Sequence, residues 1–215
     1  MIAVLASELD SEAGSLVAEW SSSGAALLSA RDLATAGWEF YPADPTAGIA
    51  VVGGERIPVA NLKAVLTRRP AVMMEELTWF HRDDRSYAAA EMNAFLVAWL
   101  SSLPCRVVNR PTPTSLCGPA WDELHWRWAA AAAGAEWAKD DDQSTIERAV
   151  VCGDRCFFAS TKEQTASARA LARAVHVDLL SVAFRGDRVC GASVAPSLTD
   201  PRLLAHLLGR LLGDA

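Results

Sequence analysis

The sequence predicts an α/β fold. Three observations lead there: short apolar runs alternate with helix-length segments, polar residues gather where those runs end, and glycine-containing pairs separate neighbouring runs. "IAVLAS" (2–7) reads as the first strand, cut at Glu8. "SEAGSLVAEWSSSG" (11–24) reads as a helix with Ser11 near its cap, and "AALLSA" (25–30) as the next strand. A short helix around "RDLATAG" leads into "WEFYPA", and "AGIAVVGGERIPVANL" carries a hairpin signature at Gly53-Gly54. "KAVLT" is then a strand, "WFHRDDR" a polar loop, and "SYAAAEMNAFLVAWLSSL" (86–103) a helix stopping before Pro104. "CRVVN" is a strand, and "PAWDELHWRWAAAAAG" a helix from Pro119 to Gly134. After an acidic stretch, "RAVVCGDRCFFAS" reads as a hairpin turning at Gly153-Asp154. A helix (162–175), two strands joined at Arg185-Gly186-Asp187 and a last helix, "PRLLAHLLGRLLG", complete the chain.

Composition excludes several classes. The chain has 215 residues, 51% of them hydrophobic and 21% charged, as an ordinary globular protein does. A net charge of −6 argues against nucleic acid as a partner, since phosphate binding needs a concentrated basic face. Seventeen arginines stand against three lysines, Lys63, Lys139 and Lys162, a bias that a GC-rich genome produces unaided. The first residues have no basic segment before their apolar run, so they read as a strand and not a signal peptide. No apolar run reaches bilayer-spanning length, and five scattered cysteines suit reduced thiols; a cytoplasmic protein without a membrane partner is expected.

Two strand ends raise a site. "AVLTRRPAVMMEE" (64–76) ends an apolar run on Arg68, Arg69 and Pro70, and "CRVVNRPTPTSLCGP" repeats the design with Asn109, Arg110 and Pro111. In open α/β sheets ligands bind beyond the carboxyl ends of the strands. A guanidinium fork matches a carboxylate, so these residues are candidates to hold a peptide or small-carboxylate substrate. An arginine here can equally be a buried strut to Glu75, Glu91 or Asp122, and an asparagine before a turn often satisfies loop backbone.

"LTRRP" (66–70), "AEMNAFLVAWLSSLPCRVVNRP" (90–111) and the helix closing on "AAAAAG" resemble, in that order, the N-terminal part of ATP-grasp ligases. The branch is the one that modifies ribosomal peptides, with the related glutamate-ligase type. The resemblance covers roughly residues 2–134 and implies a βαβ domain preceding the ATP-grasp, carrying part of the acceptor site. "VVCGDRCFFAS" and "VDLLSVAFRGDRVCGASVAPS" resemble the core hairpin and metal-carrying strands at the end of the catalytic domain. The implied organisation is a pre-ATP-grasp-like α/β domain (1–137), an acidic linker (138–146) and a C-terminal α+β remnant (147–215). The central domain that covers the nucleotide is expected to be missing, its place taken by the dozen residues "EWAKDDDQSTIE".

The resemblance also implies what is lost. Family members neutralise phosphate with lysines, but no lysine lies between Lys63 and Lys139, and Glu123 stands near a family lysine position. Where the family holds Mg²⁺ with an acid and a Glu-x-Asn-Pro signature, this chain has Ala183 and "SVAP", with Ser193 and Ala195 for Glu and Asn. Asp178 or Asp187 would be the counterpart of the first acid in a shifted register. No cofactor, no bound metal and no ATP-dependent ligation are therefore expected.

Other residues are candidates on their own chemistry. Trp121, His125 and Trp128 share a helix face at i, i+4 and i+7 while Trp126 points elsewhere, fitting an aromatic wall for a ligand or partner as well as a core stripe. His125 with Asp122 or Glu123 is a candidate acid–base pair, and His81, in a loop with Asp83 and Asp84, a second. Cys152 and Cys156, with Cys190 on a neighbouring strand, suggest either a soft-metal site or apolar filling. Two functions follow: a binding protein in a peptide or amino-acid-derived biosynthetic pathway, pairing with a substrate, an active ligase or a second copy of itself; or an enzyme reusing the acceptor pocket without nucleotide.

Overall fold

The computed structural model describes residues 1–139 and 141–213. They form two compact units, one of Met1–Gly118 with the residues from Leu208 on, the other Pro119–Leu207. The division falls at 118/119. Most of the 138–146 segment is described and lies inside the second unit, while Asp140 is outside the described residues.

In the first unit β1 (Ile2–Leu5) leads to α1 (Ser11–Glu19), whose N-cap is Asp10: its carboxylate accepts from the Ala13 N–H at 3.0 Å. Then come β2 (Ala25–Leu28) and the short α2 (Ala30–Leu33), opened by a capping box between Ser29 and Asp32. Asp32 also accepts from the Gly54 N–H at 2.7 Å, tying α2 to the hairpin of β3 (Ile49–Val52) and β4 (Glu55–Pro58). That hairpin turns on Gly53 and Gly54, with φ of +61° and +79°, a conformation other residues adopt at a cost. β5 (Ala64–Thr67), α3 (Arg85–Ser102) and β6 (Arg106–Val108) complete the unit. Its sheet is parallel, in the order β2-β1-β5-β6. β1 and β5 are buried at every residue, so they read as continuous apolar runs instead of alternating ones. Leu96, Trp99 and Leu100 of α3 pack into this core.

The second unit holds α4 (Glu123–Ala132), β7 (Ile146–Cys152), β8 (Arg155–Phe157), α5 (Lys162–Ala174), β9 (Leu179–Arg185) and β10 (Arg188–Ser193). Its sheet is antiparallel, ordered β10-β9-β7-β8. α6 (Pro201–Leu212) follows. The helix expected from Pro119 begins four residues later, because Asp122 caps it by accepting from the His125 N–H at 3.0 Å. No helix among the described residues is long and apolar enough to cross a membrane.

Candidate functional site

The strand-end arginines face inward. Arg68 follows β5; its Nε donates to the Asp10 carboxylate at 3.0 Å and a terminal nitrogen to Glu12 at 3.0 Å. Its side chain is only 11% exposed. Arg69 donates to the Ala71 carbonyl at 2.9 Å, the Ala6 carbonyl at 3.4 Å and the Glu76 carboxylate. The two guanidiniums therefore order the loop after β1 and the turn at 74–76. The strut partners expected from sequence, Glu75, Glu91 and Asp122, are not the ones used.

Asn109 and Arg110 have equally internal roles. Asn109 is buried and its amide donates to the Cys117 carbonyl at 3.3 Å. Arg110 donates to the carbonyls of Leu100 and Leu103, each at 3.4 Å, and so satisfies the C-terminal end of α3.

Beyond the carboxyl ends of β1 and β2 lies a cavity of about 200 Å³, lined by none of Arg68, Arg69, Asn109 and Arg110. Ser7, Glu8 and Leu9 reach it from the loop after β1, Arg31 from α2, and Glu75, Glu76, Thr78 and Trp79 from the segment after β5. The chain leaves β1 toward β2 on one side and returns to β5 on the other, so the cavity sits where an open parallel sheet places its ligands. Arg31 lies over the Trp79 ring, 4.5 Å from its centroid, and 3.8 Å from the Glu8 carboxylate. The sequence does not single out Glu8, Arg31, Glu75 or Trp79 as lining a cavity. The strand-exit rule applied to "IAVL" and "AALL", and not only to "AVLT" and "RVV", would have pointed to the first two.

Partial burial alone would push the Asp10 carboxyl up. The Arg68 guanidinium and the backbone N–H groups of Ala13 and Glu12 outweigh it and hold that carboxyl below its ordinary value.

His81 stands on an exposed loop with its Nδ1 3.7 Å from Asp83, and it does not line the cavity. In the second unit His125 Nδ1 lies 2.6 Å from the Asp122 carboxylate, both exposed. The Trp121 ring stacks on the His125 imidazole at 6.3 Å and Trp128 meets it edge-on at 5.7 Å. Trp121 and Trp128 are 41% and 62% exposed, whereas Trp126 is buried, so the stripe is a surface and not a core. Glu123 lines a shallow cleft of about 470 Å³ with Trp137, Lys139, Arg185 and Cys190.

Cys152 and Cys156 do not converge. Cys156 pairs across the hairpin with Val151 and shares its face, which places it on the side of the sheet opposite Cys152. Burial pushes the Cys156 and Cys190 thiols up, toward the protonated form that binds metal poorly. Among the described residues no group of three or more His, Cys, Asp or Glu side chains is placed to share a metal ion.

No protein-family model and no curated protein matches the chain. Solved structures do. The ATP-grasp ligase PsnB, complexed with a minimal precursor, Mg and ADP, is 12% identical with a TM-score of 0.70 over 98% of each chain. The macrocyclase MdnC from Microcystis aeruginosa MRC, bound with precursor peptide MdnA, is 9% identical with a TM-score of 0.74 over 99% of each. A RiPP-associated ATP-grasp ligase from Chryseobacterium gregarium, in complex with ADP and a leader and core peptide, is 10% identical with a TM-score of 0.62. That match covers all of this chain and 97% of the other. This chain has the fold of the ATP-grasp ligases.

The PsnB complex holds Mg and ADP; at the positions that the resemblance in its unshifted register assigns to the metal, the donors of this chain do not fit such an ion. Ala183 on β9 has no donor, and its cross-strand neighbour is Arg148, a cation beside a position that would need anions. Ser193 ends β10 with its hydroxyl accepting from the Ala195 N–H at 3.3 Å, and Ala195 has no donor. One hydroxyl in place of two carboxylates and an amide is a poor set for a hard dication.

Proposed function

We propose that this protein is an ATP-grasp-like component of a peptide-modifying biosynthetic pathway that holds a substrate without activating it through ATP. The observation that carries the reading is the cavity beyond β1 and β2, whose walls Arg68 and Arg69 tie in place. A preformed cleft with a few convergent charges is what substrate recognition needs. In this reading the arginines position the site, and Glu8, Arg31, Glu75 and Trp79 meet the substrate. Ala183, Ser193 and Ala195, with Glu123 where a phosphate would want a lysine, support the loss of nucleotide and metal binding. The acidic segment 138–146 replaces the domain that would cover the nucleotide, and 147–215 is the catalytic remnant.

The exposed side chains of Trp121, Leu124 and Trp128 supply a partner-facing surface. A second copy of the chain or an active ligase is the proposed partner. Incubation with ATP, Mg²⁺ and a panel of peptides should release no phosphate above background; peptide-dependent release would overturn the reading.

A second reading rests on the His125–Asp122 contact at 2.6 Å, an orientation in which the carboxylate fixes the ring for proton transfer. In that case the protein is a nucleotide-independent enzyme. His125→Ala would abolish turnover of a pathway substrate while the fold and partner binding persisted.

A further inference from the structure

We infer that the cavity beyond β1 and β2 takes one cationic side chain, a lysine ammonium or arginine guanidinium of a bound peptide. The inference rests on the reading above, that this cavity holds the substrate, and adds the charge the substrate must carry there.

The charges lining the cavity do not cancel. Glu76 is answered by Arg69, and Glu8 by Arg31 at 3.8 Å, whereas the exposed Glu75 has no cationic partner among the described residues. One carboxylate is therefore left over at the mouth of a concave site. Trp79 adds an indole ring; one face carries Arg31, 4.5 Å from the centroid, so a ligand cation would use the other face or the ring edge beside Glu75. Leu9, 87% exposed at the rim, offers apolar surface to the methylene stem of a long basic side chain. A volume of about 200 Å³ has room for one such side chain. An anionic group would meet Glu8 and Glu75 while Arg31 and Arg69 are already engaged by Glu8 and Glu76, and a neutral one would leave Glu75 to the solvent. Charge attraction at a partly exposed site, with a cation–π contribution, corresponds to about tenfold selectivity for the cation.

The test compares two doubly capped tripeptides, Ala-Arg-Ala and Ala-citrulline-Ala, which differ in the charge of one isosteric side chain. Each is titrated at low ionic strength into the ¹⁵N-labelled protein and into Glu75→Gln, reading the amide shifts of residues 7–9, 31 and 75–79. Glu75 is exposed, so its replacement leaves the fold intact, which circular dichroism checks. The arginine peptide should bind about tenfold more tightly than the citrulline peptide, and Glu75→Gln should level the two. Equal binding of both peptides, unchanged by Glu75→Gln, would overturn the charge preference while leaving the cavity as the substrate site. Absence of any shift at these residues with either peptide would overturn the substrate reading as well.

Discussion

Arg68 donates to Asp10 at 3.0 Å, joining the end of β5 to the cap of α1 across 58 residues of sequence. The same guanidinium reaches Glu12, so one side chain on one strand fixes the loop that leaves its neighbour. Removing it takes the shared cation from two partly buried carboxylates. Arg68→Met should cost about 3 kcal/mol of unfolding free energy, read from urea denaturation. Arg68→Lys should recover only part of that loss, because an ammonium cannot serve both carboxylates as a planar fork does. A loss below about 0.5 kcal/mol would mean the pair behaves as an ordinary surface ion pair.

The pH dependence follows from the same contact. The Asp10 carboxyl is held below its ordinary value in the folded state, so its contribution is fully present above the unfolded value near 4 and is lost as pH falls through the lowered one. Asp10→Asn keeps a good N-cap while removing the charge. The difference in stability between the two proteins, measured by denaturation between pH 7 and pH 2, should therefore shrink as the medium becomes acid. A difference that stayed constant would place the effect in the cap and not in the ion pair.

The thiols should behave as buried apolar groups. Cys117 and Cys152 are each 1% exposed, and burial pushes Cys117 up along with the half-buried Cys105, Cys156 and Cys190. Titration of the native protein with a chromogenic disulfide near neutral pH should show Cys117 and Cys152 protected and the other three reacting slowly. All five should react at once in urea. Rapid reaction of any one thiol in the native protein would mark an activated cysteine instead.

The aromatic face of α4 gives the proposed partner surface a direct check. Trp128, at 62% exposure, is the most exposed tryptophan on that helix, so its replacement should leave the core untouched. If a second copy covers it, light scattering on the eluting protein should report a dimer, and Trp128→Glu should convert it to a monomer with an unchanged melting profile. A wild-type monomer would leave an active ligase as the partner to be sought.

Local chemistry made much of the fold legible. Gly53-Gly54 announced its hairpin because only residues tolerant of positive φ turn there, and buried runs such as "IAVL" and "AVLT" declared a parallel sheet. The start of α4 was misread because Pro119 suits a first helical turn, while the Asp122 carboxylate does the capping three residues on. The site was only half legible. Strand exits told where to look, but the partners of Arg68 lie 58 and 56 residues away and no local rule selects them. Two arginines at a strand end signalled a ligand contact; in three dimensions they are the supports of the cavity, and the residues that face it come from the exits of β1 and β2 and from the segment after β5.

We propose that this chain keeps a substrate-holding half while its nucleotide half has lost its ligands. Isothermal titration of the protein with ATP, in the presence and absence of Mg²⁺, tests this most directly. We expect no saturable heat under either condition. Micromolar binding that appears only with Mg²⁺ would contradict it and return this chain to the working ATP-grasp enzymes.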